Sequence, residues 1–99
     1  MTGEITVYIA ALGAIGKLFS SRIYRLPEGV RLIDAMHRLE EKEQNPLFRD
    51  YLLSEDGQEL SEGMLFAVND ISIANLDGKD TVLRDGDELF IMFMDITGG

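Results

Sequence analysis

Leu89 to Met94 is an unbroken apolar run, LFIMFM, held between the turn dipeptide Asp85-Gly86 and the last five residues. It has the length of a strand and falls far short of the ~20 residues that a membrane helix needs. A strand with apolar side chains on both faces belongs inside a sheet, covered by a helix on one side and by other chain on the opposite side. The fold therefore has to be assembled on both flanks of a strand that comes last. At 99 residues there is room for one hydrophobic core, because two would leave each half near the ~40-residue limit for unaided folding. Residues 1–99 are read as a single domain with residues 95–99 as a flexible tail.

Ahead of that strand, Glu4 to Leu12 alternates with a period of two, Ile5, Val7, Ile9 and Ala11 against Thr6, Tyr8 and Ala10, and predicts a first strand. Gly13 and Gly16 allow a reversal, and Phe19 to Leu26 returns as a second strand that Pro27 and Gly29 end. From Val30 the period changes. Leu32, Met36 and Leu39 recur at helical spacing among Arg31, Asp34, Arg38, Glu41 and Lys42, which predicts an amphipathic helix. It stops by Asn45, since Pro46 lacks an amide proton and disfavours helical geometry in the residue before it. Leu47, Phe48, Tyr51 and Leu52 are compatible with one further helical turn before the polar stretch Ser54 to Gly63. Met64 to Val68 predicts a third strand closed by Asn69-Asp70, and Ile71 to Asp80 a loop or short edge. Thr81, Val82 and Leu83 lead into the Asp85-Gly86 turn. The expected class is α+β: a mixed sheet with one main helix and the last strand central.

Composition narrows the function. With 45% apolar residues, five Phe and three Tyr, disorder is disfavoured. The absence of cysteine excludes a disulfide framework, a thiolate zinc site, an iron–sulfur cluster and a Cys nucleophile. The acidic, Gly-containing start does not read as a signal peptide, so a soluble, cytoplasmic protein with no membrane segment is expected. The net charge of −9 sits entirely in the second half: residues 1–50 hold seven Lys/Arg and seven Asp/Glu, whereas residues 51–99 hold two and eleven. Nucleic acid would be repelled by that surface, while a basic protein partner fits it. Acidity also keeps a small protein soluble.

Candidate chemistry is sparse. His37 stands alone on the helix with no second His to complete a metal site. Asp85, Asp87 and Glu88 lack the ligand pattern of a calcium loop, so no metal is expected. Gly13 and Gly16 are not followed by the Lys of a phosphate loop. Met64, Met92 and Met94 read as core filler. What remains is Gly98-Gly99. Residues without a Cβ can thread a narrow cleft in another protein. A terminal carboxylate, with pKa near ~3.5, is unreactive at pH 7, but ATP converts it to an acyl-adenylate open to sulfur or amine attack. Five extended residues from Asp95 reach roughly 16 Å, enough to carry it into a partner's active site.

The segment LRDGDELFIMF followed by TGG resembles the end of the small β-grasp sulfur carriers, the family of the molybdopterin synthase small subunit, the thiamin-pathway carrier and the archaeal ubiquitin-like modifiers. FAVND resembles that family's strand-and-turn VNG. The resemblance covers most of the chain outside residues 47–63, where the extra length falls; Asp70 stands where the family turn has Gly, and Phe93, Met94 and Asp95 stand where molybdopterin members carry two prolines. It implies a ubiquitin-like β-grasp fold and a carrier that is not itself an enzyme. An activating enzyme would use ATP to adenylate Gly99, with Gly98 threading the cleft, and sulfur would displace AMP to give a thiocarboxylate for molybdopterin-type cofactor biosynthesis. No cofactor would be bound. Asp85, Asp87 and Glu88 would dock the activating enzyme, and an apolar sheet patch including Phe66 and Phe93 would support a second partner such as a synthase large subunit. Two alternatives stand beside this: a protein modifier whose Gly99 ends as an isopeptide on lysine, and a non-catalytic interaction domain.

Overall fold

The computed structural model of the chain describes residues 3–94, and it builds them around the apolar run near the end. Strand β1 (Glu4–Ala11) is antiparallel to β2 (Ile23–Pro27), and β3 (Met64–Val68) to the two-residue β4 (Ile71–Ser72). Strand β5 (Glu88–Phe93) enters between the two pairs, parallel to β1 and antiparallel to β3, giving the order β2-β1-β5-β3-β4. The last strand is central and the sheet is mixed, as its composition requires.

Helix α1 (Leu32–Glu43) turns Leu32, Ile33, Ala35, Met36 and Leu39 into the sheet, where they meet Ile5, Val7 and Ile9 of β1, Phe66 of β3 and Leu89 and Ile91 of β5 in one core. Gln44 closes the helix in the left-handed region, with its N–H on the Glu40 carbonyl. Pro46 then does more than stop α1. It occupies the first turn of a second helix, α2 (Pro46–Leu52), where a missing N–H costs nothing, and the Asn45 side chain caps the Leu47 N–H at 3.0 Å. Phe48 and Leu52 of α2 are fully buried in the same core, and Arg49 clamps Glu40 of α1 through two bonds of 2.8 and 2.9 Å.

Three expectations are corrected. The second strand is shorter than Phe19 to Leu26, because Gly13–Leu18 folds as a 3-10 turn launched by Gly13 at φ +65° and residues 19–22 bridge from it to Ile23. Thr81 to Leu83 is no hairpin arm, since Val82 pairs with Arg31 at the start of α1. Strand β5 is not buried on both faces: Leu89 and Ile91 face α1 at 0% exposure, whereas Phe90 and Met92 face the other way and are half-buried. That second face, with Tyr8 and Ile23 exposed beside them, is apolar and half-open.

Candidate functional site

The end of β5 sets the geometry, because it delivers the chain toward Gly98 and Gly99. Those two residues and the rest of 95–99 lie outside the described residues, so the site is built here from its base. The Met94 N–H donates to the Gly63 carbonyl at 2.9 Å, extending the β5–β3 ladder past its last pair, Met64 with Phe93. On the other flank β1 runs parallel to β5, so both strands finish at the same end of the sheet, and the Leu12 N–H donates to the Ile91 carbonyl at 3.1 Å. Helix α2 sends Tyr51 to this end, its ring meeting Phe93 edge to face at 5.6 Å between centroids. The chain therefore leaves the sheet beside an exposed aromatic pair, Tyr51 and Phe93, while Leu12 and Met94, also exposed, follow the ends of β1 and β5. Asp50 and Glu62, which precede Tyr51 and Gly63 in the chain, are exposed as well.

The other expected site residues divide. Phe93 stands at the tail base, but Phe66 is 2% exposed and packed under α1 opposite Ile91, which removes it from any docking patch. Asp85, Asp87 and Glu88 lie at the start of β5, about 20 Å from Met94 at ~3.3 Å per residue. Two of them are occupied with folding. The Asp85 carboxylate accepts the Thr6 N–H at 2.8 Å, and the Gly86 N–H returns to the Thr6 carbonyl at 2.7 Å. Asp87 accepts the Arg84 N–H and the Asn69 amide, each at 2.8 Å, while the Asn69 side-chain oxygen takes the Glu88 N–H at 3.0 Å. Asn69 sits at φ +50°, so the β3–β4 turn and the entry to β5 are fastened to each other.

A prediction follows for the acidic trio. Asp85→Lys is expected to cost about 1–2 kcal/mol by removing an acceptor from a strand amide, whereas Glu88→Lys, which gives up no side-chain bond, is expected to stay within about 0.5 kcal/mol of wild type. Urea unfolding at a constant slope reads the difference; equal midpoints would return Asp85 to the solvated surface.

His37 is structural too. Its Nε2 lies 2.7 Å from the Gly57 carbonyl, pinning the loop after α2 to α1. Among the described residues no cluster of three metal-ligating side chains forms and no helix is long and apolar enough to cross a membrane. The titrations that depart from ordinary values lie in helix and loop packing. Burial, and then the hydrogen bond to Glu43, push the Tyr24 phenol up. The Gln58 N–H and the Ser54 hydroxyl hold the Asp56 carboxyl below its usual range.

Two features escaped the sequence: the Tyr51 to Phe93 contact and the Asn69 to Asp87 link. Each joins segments far apart in the chain. A helical turn over Leu47 to Leu52 could be anticipated, but nothing in its pattern told which end of the sheet it would reach.

No protein-family model matches the sequence, and no curated protein matches it. Solved structures do. The small archaeal modifier protein 1 of Methanosarcina acetivorans superposes with a TM-score of 0.70 at 22% identity, over 100% of this chain and 99% of that one. Urm1 of Trypanosoma brucei gives 0.67 at 26% identity over 100% of both chains. A putative molybdopterin converting factor, subunit 1, of Pyrococcus furiosus gives 0.65 at 20% identity, over 90% of this chain and 97% of that one. The fold is thus the ubiquitin-like β-grasp, as the resemblance implied, and the proteins that share it are named as modifiers and as a molybdopterin converting factor subunit.

Proposed function

We propose that this chain is a sulfur carrier whose reactive group is the carboxyl of Gly99. The observation that carries the reading is the place of β5: the central strand of a β-grasp sheet ends at Phe93, and the sequence that follows it closes on a diglycine, in a fold shared with a putative molybdopterin converting factor subunit. A partner enzyme supplies the chemistry. The Gly99 carboxylate attacks the α-phosphorus of ATP and pyrophosphate leaves. Hydrosulfide then attacks the acyl carbon of the adenylate, AMP departs with the C–O bonding pair, the sulfur's proton passes to solvent, and a thiocarboxylate remains. The chain contributes reach and a recognisable body, with Gly98 and Gly99 offering no Cβ to the cleft. The recipient in this reading is molybdopterin-type cofactor biosynthesis in the cytoplasm, and the half-open face of Tyr8, Ile23, Phe90 and Met92 is the surface for a synthase large subunit.

The likeness to a small archaeal modifier protein and to Urm1 supports a second outcome of the same activation. There a lysine amine attacks the adenylate, AMP leaves, the amine proton passes to solvent and an isopeptide forms.

Mass spectrometry of the protein purified from its own cells tests both. Replacing oxygen by sulfur adds about 16 Da, but oxidation of a methionine adds about 16 Da as well, and Met94 is exposed. The two are separated by cleaving before Asp95, because Asp95–Gly99 contains no methionine. The gain is expected on that fragment and is expected to react with iodoacetamide, which a sulfoxide does not. An unmodified fragment, together with no Asp-Ile-Thr-Gly-Gly remnant on the lysines of other proteins after the same cleavage, would defeat both readings.

A further inference from the structure

We infer that Tyr51, held against Phe93 at the base of the tail, is the specificity contact for the activating enzyme. The inference rests on the reading of Gly99 as the reactive end. Reach dictates it. Gly99 lies five residues beyond Met94, roughly 16 Å when extended, and if Gly98 and Gly99 occupy the narrow cleft, only Asp95 to Thr97, about 10 Å, spans the space outside. The enzyme surface around the cleft mouth therefore rests on whatever surrounds Phe93.

What surrounds it is the ring of Tyr51. Two aromatic rings meeting edge to face keep Tyr51 and Phe93 in fixed positions while leaving 36% and 42% of them exposed. Rigid, part-exposed aromatics at the centre of a patch are the side chains that carry binding energy. The chain beside this pair is acidic: Asp50, next to Tyr51, and Glu62, next to Gly63, are exposed and make no ion pair among the described residues, and Arg49 is turned to Glu40. The occupant is accordingly an adenylating enzyme with an apolar hollow beside its acyl cleft and a Lys/Arg rim around the hollow. Tyr51 lies in residues 47–63, the stretch outside the motifs that carry the resemblance.

The test uses competition in the protein's own cells. Wild type and a variant, differently tagged at the N-terminus, are expressed together, purified apart, and compared by the modified share of the Asp95–Gly99 fragment, so that both draw on one pool of enzyme. Tyr51→Ser is expected to fall at least tenfold below wild type per folded molecule, with a melting temperature lowered only by the few degrees that loss of the ring pair implies. Tyr51→Phe, which keeps the ring pair, is expected to stay within twofold. Should Tyr51→Ser melt earlier than that, the pair Asp50→Lys with Glu62→Lys, which disturbs no packing, decides instead, with an expected loss of at least threefold. A variant set modified as fully as a modified wild type overturns this inference and leaves the carrier reading intact. An unmodified wild type overturns both.

Discussion

Phe66→Ala is expected to cost ~3–5 kcal/mol, a fifth or more of the ~5–15 kcal/mol that a small domain possesses. The ring is 2% exposed, pairs with Ile91 across the β3–β5 ladder and lies under α1. Deleting it leaves a cavity between the helix and the centre of the sheet. Phe93→Ala is expected to cost only about 1–1.5 kcal/mol, because that ring is 42% exposed and loses chiefly its edge-to-face contact with Tyr51. Urea unfolding with far-ultraviolet circular dichroism measures both. Similar costs for the two would mean that β3 presents its faces the other way round. The same pair separates folding from docking: a loss of modification in Phe93→Ala at near-native stability belongs to the partner interface, whereas any loss in Phe66→Ala follows from unfolding.

The contrast between these phenylalanines marks where the sequence stops being legible. In β1, Ile5, Val7 and Ile9 alternate with Thr6 and Tyr8, so the buried face is written in the residues, and the structure buries it. In β3 the run is Met64, Leu65, Phe66, Ala67, Val68, apolar at every position. Alternation then carries no polarity, and only the helix above the sheet decides that Phe66 points inward. Strand β5 is harder still. Phe93 shares the parity of Leu89 and Ile91, yet it is exposed, because it lies past the end of the core, where the Tyr51 ring meets it edge to face. The central place of β5, the main helix and the left-handed turn at Asn69-Asp70 were legible, since each is fixed by composition or by local backbone preference. The second role of Pro46 was not. A proline after a helix announces a stop, and that it also opens α2 depends on Asn45 finding the Leu47 N–H and on Phe48 and Leu52 finding the core. The part that Asp85 and Asp87 play in folding was hidden for a related reason. Charge at a turn looks like surface chemistry until the strand amide of Thr6 is seen to need the Asp85 carboxylate.

Activation itself should be abolished by changes that leave the fold untouched. In ATP–pyrophosphate exchange with the activating enzyme of the same organism, Gly99→Val and a chain extended by one residue are both expected to fall at least ~100-fold, equivalent to ~3 kcal/mol of barrier. The two substitutions fail for different reasons. Valine adds a branched side chain where a cleft shaped for glycine admits no Cβ. The extension removes the nucleophile, because the Gly99 carboxylate becomes a peptide carbonyl with no oxyanion to attack the α-phosphorus of ATP, and it displaces the new carboxylate by one residue, roughly 3.3 Å, beyond the reacting centre. Both are expected to melt with wild type, since among the described residues the hydrophobic core ends at Ile91. His37→Gln supplies the opposite control: it disturbs the bond to the Gly57 carbonyl and is expected to lower the melting temperature by a few degrees, on the order of 1 kcal/mol, while exchange per folded molecule stays at the wild-type rate. Full exchange by the extended chain would show that the carboxyl of Gly99 is not the reacting group, and the carrier and modifier readings would fall together, leaving a β-grasp domain that binds its partners through its surfaces alone.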